Sequence, residues 1–164
     1  MKRRNFIKFT TILGILSSTN FVVARTISNE NLMILDELLN IIFPKTQNMP
    51  SAKEFKALEY LVKNISHKTF DDEDKALIID GTNDFNSSFP EFLTLNKNEK
   101  KELIFQIIQN SSYAKSWVSK ISYYGIEAMF SDPIYGGNFG QIAWKSVKHN
   151  IGYPQPLKTY GQKV

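Results

Sequence analysis

Two stretches of the chain hold enough side-chain oxygen to suggest chemistry. Asp71, Asp72, Glu73 and Asp74 are consecutive carboxylates, and clustered carboxylates are what a metal or acid–base site would use. Successive residues on a helix diverge around its axis, so these four do not converge on one point. An acidic first turn is instead what the positive end of a helix dipole favours. The stretch DGTNDFNSS, Asp80 to Ser88, lacks the glycine and terminal glutamate placement of a calcium loop. His67 and His149 are the only histidines and both lie in polar segments. No serine, histidine and aspartate can be argued into one triad from spacing alone. The run YGGNFG from Tyr135 to Gly140 has neither a strand before it nor a clear helix opening after it, so no dinucleotide fold is indicated.

The chain contains no cysteine. That excludes disulfides, thiolate zinc sites, iron–sulfur ligation and c-type haem attachment together. The balance of charge is informative once it is located. Lys2, Arg3, Arg4 and Lys8 lie in a stretch of 24 residues without Asp or Glu, and whole-chain totals are 20 basic against 16 acidic. Subtracting the four leaves 16 against 16, so the basic excess belongs to the N-terminus and no nucleic-acid partner is expected.

That N-terminus has its own pattern. Arg3, Arg4, Phe6, Ile7 and Lys8 in RRNFIK match a twin-arginine export signal, and residues 9–24 are apolar but diluted by Thr, Ser and Asn. The run is shorter than the ~20 residues of a spanning helix. Residues 1–25 are therefore read as a twin-arginine leader and residues 28–164 as one domain. The competing reading is an anchor that is never cut, which would tether the domain to the outer side of the inner membrane. The ~140 residues left after the leader are enough to bury about two-thirds of their unfolded surface.

Helix signals dominate that domain. SNENLMILDELLNIIFP starts at a cap, Ser28 or Asn29, and stops at Pro44, with Leu32, Leu35, Leu38, Leu39 and Ile42 on one face. SAKEFKALEYLVKNI opens with a capping box, Ser51 and Glu54, and turns Phe55, Leu58, Leu61, Val62 and Ile65 inward. A third segment from Asp71 carries Leu77, Ile78, Phe85 and Phe89, with Gly81 weakening the case for one unbroken helix. NKNEKKELIFQIIQN repeats the capping logic with Asn96 and Glu99 and points Leu103, Ile104, Ile107 and Ile108 inward. A fifth segment sets Tyr113, Trp117, Ile121 and Tyr124 along one stripe. The expected fold is all-α, about five helices with a loop-rich C-terminal tail.

The tail from Ser131 holds most of the glycines and three of the six prolines. Asp132 and Pro133 end the fifth helix, since proline disfavours helical geometry in the residue before it. Gly136 and Gly137 permit backbone angles that other residues resist. Tyr135, Phe139, Trp144 and Tyr153 place large rings there, able either to pack back on the helices or to insert into a partner.

The leader, the helix ending IIFP, and above all DPIYGGN followed by Trp144 and GYP resemble subunit 3, the small or gamma subunit, of gluconate 2-dehydrogenase. The resemblance covers nearly the whole chain. It implies a three-part enzyme in which a large FAD-dependent subunit oxidises the sugar acid and a cytochrome c subunit, carrying haem c, passes electrons on. The small subunit supports the flavoprotein and carries the export signal that the flavoprotein lacks. By position, Asp132, Pro133, Tyr135, Gly136, Gly137, Asn138 and Trp144 match the family motif and are expected to dock the partner or shape the loop, with no catalytic, cofactor or metal residue in this chain. Periplasmic location and passage through the twin-arginine translocase follow as expectations. A free-standing periplasmic assembly chaperone or binding module is the alternative, and an enzyme in its own right a third.

Overall fold

The protein's structure, a computed structural model, describes residues 27–150. The leader residues Arg3, Arg4, Phe6, Ile7 and Lys8, and the GYP segment, lie outside these. Six α-helices follow in order: α1 (Asn29–Ile42), α2 (Ala57–Ile65), α3 (Asp72–Ser88), α4 (Lys97–Asn110), α5 (Ser112–Phe130) and the short α6 (Ile142–Ser146). Single 3-10 turns occur at Phe92–Thr94, Pro133–Tyr135 and Phe139–Gln141. There is no strand among the described residues, so the fold is all-α. No helix there is long and apolar enough to cross a membrane.

The chain divides into two compact units. One takes the chain to Leu35 together with Asp72–Lys120, and the other takes Asp36–Asp71 together with Ile121 onward.

The first unit is organised by aromatic packing. Phe85 on α3 sits within 5.2 Å, centroid to centroid, of Phe89, Phe92 and Trp117. Leu103, Ile104 and Ile107 of α4 and Ile34 and Leu35 of α1 are buried with them. The indole N–H is the one polar group Trp117 brings inside. Its Nε1 donates to Thr82 Oγ1 at 3.3 Å, and that hydroxyl donates to the Ile78 carbonyl at 2.6 Å, so nothing polar is stranded. Gly81 does not interrupt α3, contrary to what its low helix propensity suggested. A β-carbon there would lie 2.4 Å from Trp117 Cδ1, so the missing side chain is what admits the ring. Gly81→Ala gains about 1 kcal/mol of helix propensity against an overpacking cost of about 1–3 kcal/mol. The expected result is a net loss of stability, read as a lower thermal midpoint.

The acidic start of α3 is a helix terminus, with Asp74 paired to Lys120 at 2.8 Å. DGTNDFNSS is helical throughout. The Asn96 box forms as expected: Oδ1 accepts from the N–H groups of Asn98 and Glu99, and Glu99 Oε2 accepts from the Asn96 N–H at 2.9 Å.

In the second unit, Leu38, Leu39, Phe55, Leu61, Ile65, Ile121 and Ala128 are buried. Phe43 meets Phe55 edge-on at 5.8 Å. The helix expected to open at Ser51 starts later than its capping box. The Ser51–Glu54 box is present, with Glu54 Oε2 accepting the Ser51 N–H at 2.7 Å, but it opens turns, not α-helix. Lys56 adopts a left-handed conformation, φ 60°, and α2 begins only at Ala57. Glu54 is bonded by Lys45 as well as by Ser51, and these bonds, the lysine first, pull its carboxyl down from 4.5 to about 2. A depressed folded value means its stabilising contribution is complete above the unfolded value and lost as pH falls from about 4.5 toward 2. Glu54→Gln should flatten that part of a thermal-midpoint profile by lowering its neutral end slightly, and leave the acid end, where the wild-type carboxyl is protonated, nearly unchanged.

Candidate functional site

The second unit gathers the motif residues into one ordered loop over the end of α5. Helix C-termini leave carbonyls without intrahelical donors, and this loop supplies them. Trp144 Nε1 donates to the Phe130 carbonyl at 3.0 Å, and Asn138 Nδ2 donates to the Ser131 carbonyl at 3.2 Å. Asn138 is fully buried, and its Oδ1 accepts the Ala143 N–H at 3.0 Å. It holds φ 44°, a left-handed conformation that asparagine tolerates better than most residues. One side chain thus ties the exit of α5 to the start of α6.

The rest of the motif bends the chain into that position. Asp132 Oδ1 accepts the Ile134 N–H at 3.0 Å, Pro133 starts the 3-10 turn, and Gly136 ends it at φ 102°. Gly137 lies flat on α5, where a β-carbon would stand 2.3 Å from the Ala128 carbonyl oxygen. Lys63 of α2 donates through Nζ to the Ile134 carbonyl at 3.3 Å. The rings divide between inside and outside. Trp144 is buried, while Tyr135 and Phe139 keep 37% and 60% of their surface exposed, and Lys56 Nζ lies 3.9 Å from the Phe139 ring centre. The described part of the tail, to residue 150, is therefore less irregular than expected: 3-10 turns and one α-turn locked by side-chain caps.

Beside this loop is a cleft of about 580 Å³. Tyr60, Phe70, Tyr124 and Tyr135 give it aromatic walls, and Asn64, Asp71, Glu127 and Ser131 add polar groups. Tyr60 Oη donates to Glu127 Oε2 at 3.1 Å. Burial first, and the Glu127 carboxylate next, push the Tyr60 phenol well above its ordinary value, so it remains a donor. Phe70 and Tyr124 pack at 4.8 Å. The Ser131 hydroxyl oxygen is buried with no hydrogen-bond partner. His67 lines the cleft with Nδ1 2.8 Å from Thr69 Oγ1, whereas His149 stacks edge-on against Trp144 at 5.7 Å. Sequence reading did not find this cleft, because Tyr60 and Glu127 are distant in the chain and neither stands in a motif.

Among the described residues no group of three or more His, Asp or Glu could hold a metal ion. This cleft does not suit a flavin pyrophosphate: its lining carries two carboxylates and no Lys or Arg, the wrong sign for that group, and among the described residues no glycine-rich turn joins a strand to a helix. Absence of cysteine rules out thioether attachment of haem to this chain.

No match was found among curated proteins or among solved structures. The family described as Gluconate 2-dehydrogenase subunit 3 matches residues 29–150. That span takes in every described helix, the buried Asn138 and the loop from Asp132 to Trp144, so the chain belongs to the gluconate 2-dehydrogenase subunit 3 family, a family of subunits of a dehydrogenase complex.

Proposed function

We propose that this chain is the non-catalytic small subunit of a membrane-associated, FAD-dependent dehydrogenase of the gluconate 2-dehydrogenase type. Its role is to support folding of the large flavoprotein subunit and to carry it, already folded, through the twin-arginine translocase. The observation that carries this reading is the family match over residues 29–150, which takes in every described helix. The RRNFIK leader supports the export half of the role. A chain with no cofactor cradle among its described residues has little need of a folded-protein export route on its own account, whereas a flavoprotein does. FAD then resides in the large subunit and haem c in a cytochrome subunit, with the assembled complex on the periplasmic side of the inner membrane.

Affinity purification of a tagged full-length chain from its source cells tests the association. A larger yellow polypeptide that releases FAD on denaturation should accompany it in a fixed ratio through gel filtration. Recovery of the chain alone, or a transient association lost on gel filtration, would favour a free-standing assembly chaperone instead.

A further inference from the structure

The aromatic cleft of the second unit is unaccounted for by the loop that borders it. Its volume of about 580 Å³ is in the range of small-ligand pockets, ~300–1,000 Å³. Its chemistry is one-sided. Asp71 and Glu127 are both acidic, no lysine or arginine lines it, and Tyr60, Phe70, Tyr124 and Tyr135 supply ring faces. An aldonate such as gluconate is an anion and would be repelled, so the cleft is not an extra substrate site. Aromatic faces beside a carboxylate are what attract an organic cation, and guanidinium most of all, because it stacks on rings while its fork bonds a carboxylate.

The surroundings distinguish a polypeptide from a free small cation. Tyr124, Glu127 and Ser131 face the cleft from the last turns of α5 and its exit. On the adjoining face of the same turns Tyr123, Ile126 and Phe130 are 56%, 53% and 42% exposed. Spaced three and four apart, they form one apolar stripe along the helix. A small cation would leave that stripe in water, but a protein surface that inserts an arginine would cover it, giving a charged anchor rimmed by apolar contacts. Tyr60 fixes one carboxylate oxygen of Glu127 at 3.1 Å, which orients the carboxylate for a second donor. Tyr135 is set at the cleft by the Asp132 cap and the Gly136 turn, so the family motif shapes one of its walls.

We propose that this cleft receives an arginine side chain presented by a partner polypeptide, with Glu127 as its carboxylate and the aromatic walls stacking on its guanidinium. The inference rests on the subunit role only in that the arginine comes from another chain of the complex.

The test is an NMR titration of the isotope-labelled full chain with Nα-acetyl-arginine amide, alongside sodium gluconate and sorbitol. Saturable shifts at Asn64, Tyr124 and Glu127 are expected in the millimolar range for the arginine amide alone, weakening several-fold as ionic strength rises. Glu127→Gln should weaken binding at least tenfold. Tyr60→Phe, which keeps the carboxylate, should cost only a few-fold, so a general loss of fold is separated from loss of the charge. The proposal is overturned if gluconate or sorbitol shifts the same residues at equal or lower concentration. It is equally overturned if the arginine amide shifts nothing in the cleft, or binds the Glu127→Gln protein as well as the wild type. Co-purification with the flavoprotein reads the subunit role separately, so either idea can fail without the other.

Discussion

Gly137→Ala is expected to lower the unfolding free energy by about 3 kcal/mol, the upper end of overpacking costs. For a domain of this size that is a drop of about 10 °C in thermal midpoint. A β-carbon at this position would stand 2.3 Å from the Ala128 carbonyl oxygen and 2.8 Å from its Cα. Those atoms are helix backbone, held by α5 itself, and cannot rotate aside. The equivalent clash at Gly81 is with a side-chain ring, which has some freedom to tilt, and Gly81→Ala also gains helix propensity. Gly137→Ala has neither relief. The loop must lift away from α5, and the bonds from Asn138 and Trp144 to the Ser131 and Phe130 carbonyls stretch with it. Differential scanning calorimetry of the two alanine variants should therefore rank Gly137→Ala well below Gly81→Ala.

Asn138→Ala should cost about as much by a different route. The side chain is fully buried and makes two bonds, to the Ser131 carbonyl and from the Ala143 N–H. Removing it strands both backbone groups, at about 1–3 kcal/mol for each one left unsatisfied. Alanine also resists the left-handed φ of 44° by about 1–2 kcal/mol. A total loss of about 3 kcal/mol or more is expected. Asn138→Gly separates the two causes, because it loses both bonds but relieves the backbone, and should be less damaging than alanine by about 1 kcal/mol. Equal midpoints for the alanine and glycine variants would mean that the backbone angle contributes nothing.

Local signals survived the passage from sequence to structure; distant ones did not. The Asn96–Glu99 box, the Ser28 cap of α1, where Ser28 Oγ accepts the Asn31 N–H at 3.1 Å, and the Asp132–Pro133 stop are each written within four residues. All three were legible. The Ser51–Glu54 box was equally legible, yet it did not open a helix. The chain turns back at Lys56, and a left-handed lysine there has no signature in its neighbours. Gly81 read as a weakness in α3 because propensity is a local quantity, whereas its reason is Trp117, thirty-six positions further along. The motif residues were picked out by their resemblance to the family pattern, and the glycines at 136 and 137 also signal unusual backbone angles. Their partners, the Phe130 and Ser131 carbonyls, are backbone atoms with no mark in the sequence. The cleft was the least legible feature, since Tyr60, Phe70 and Glu127 come from separate helices or turns and each alone is an ordinary helical or loop residue.

Cell fractionation tests the central claim most directly, with flavin-dependent dehydrogenase activity measured on each side of the inner membrane. Three strains are compared: wild type, one lacking this chain, and one carrying Arg3→Lys with Arg4→Lys. The account predicts external activity in the wild type alone, with the flavoprotein held in the cytoplasm of both mutants. Active dehydrogenase delivered outside the inner membrane in the absence of this chain would contradict it.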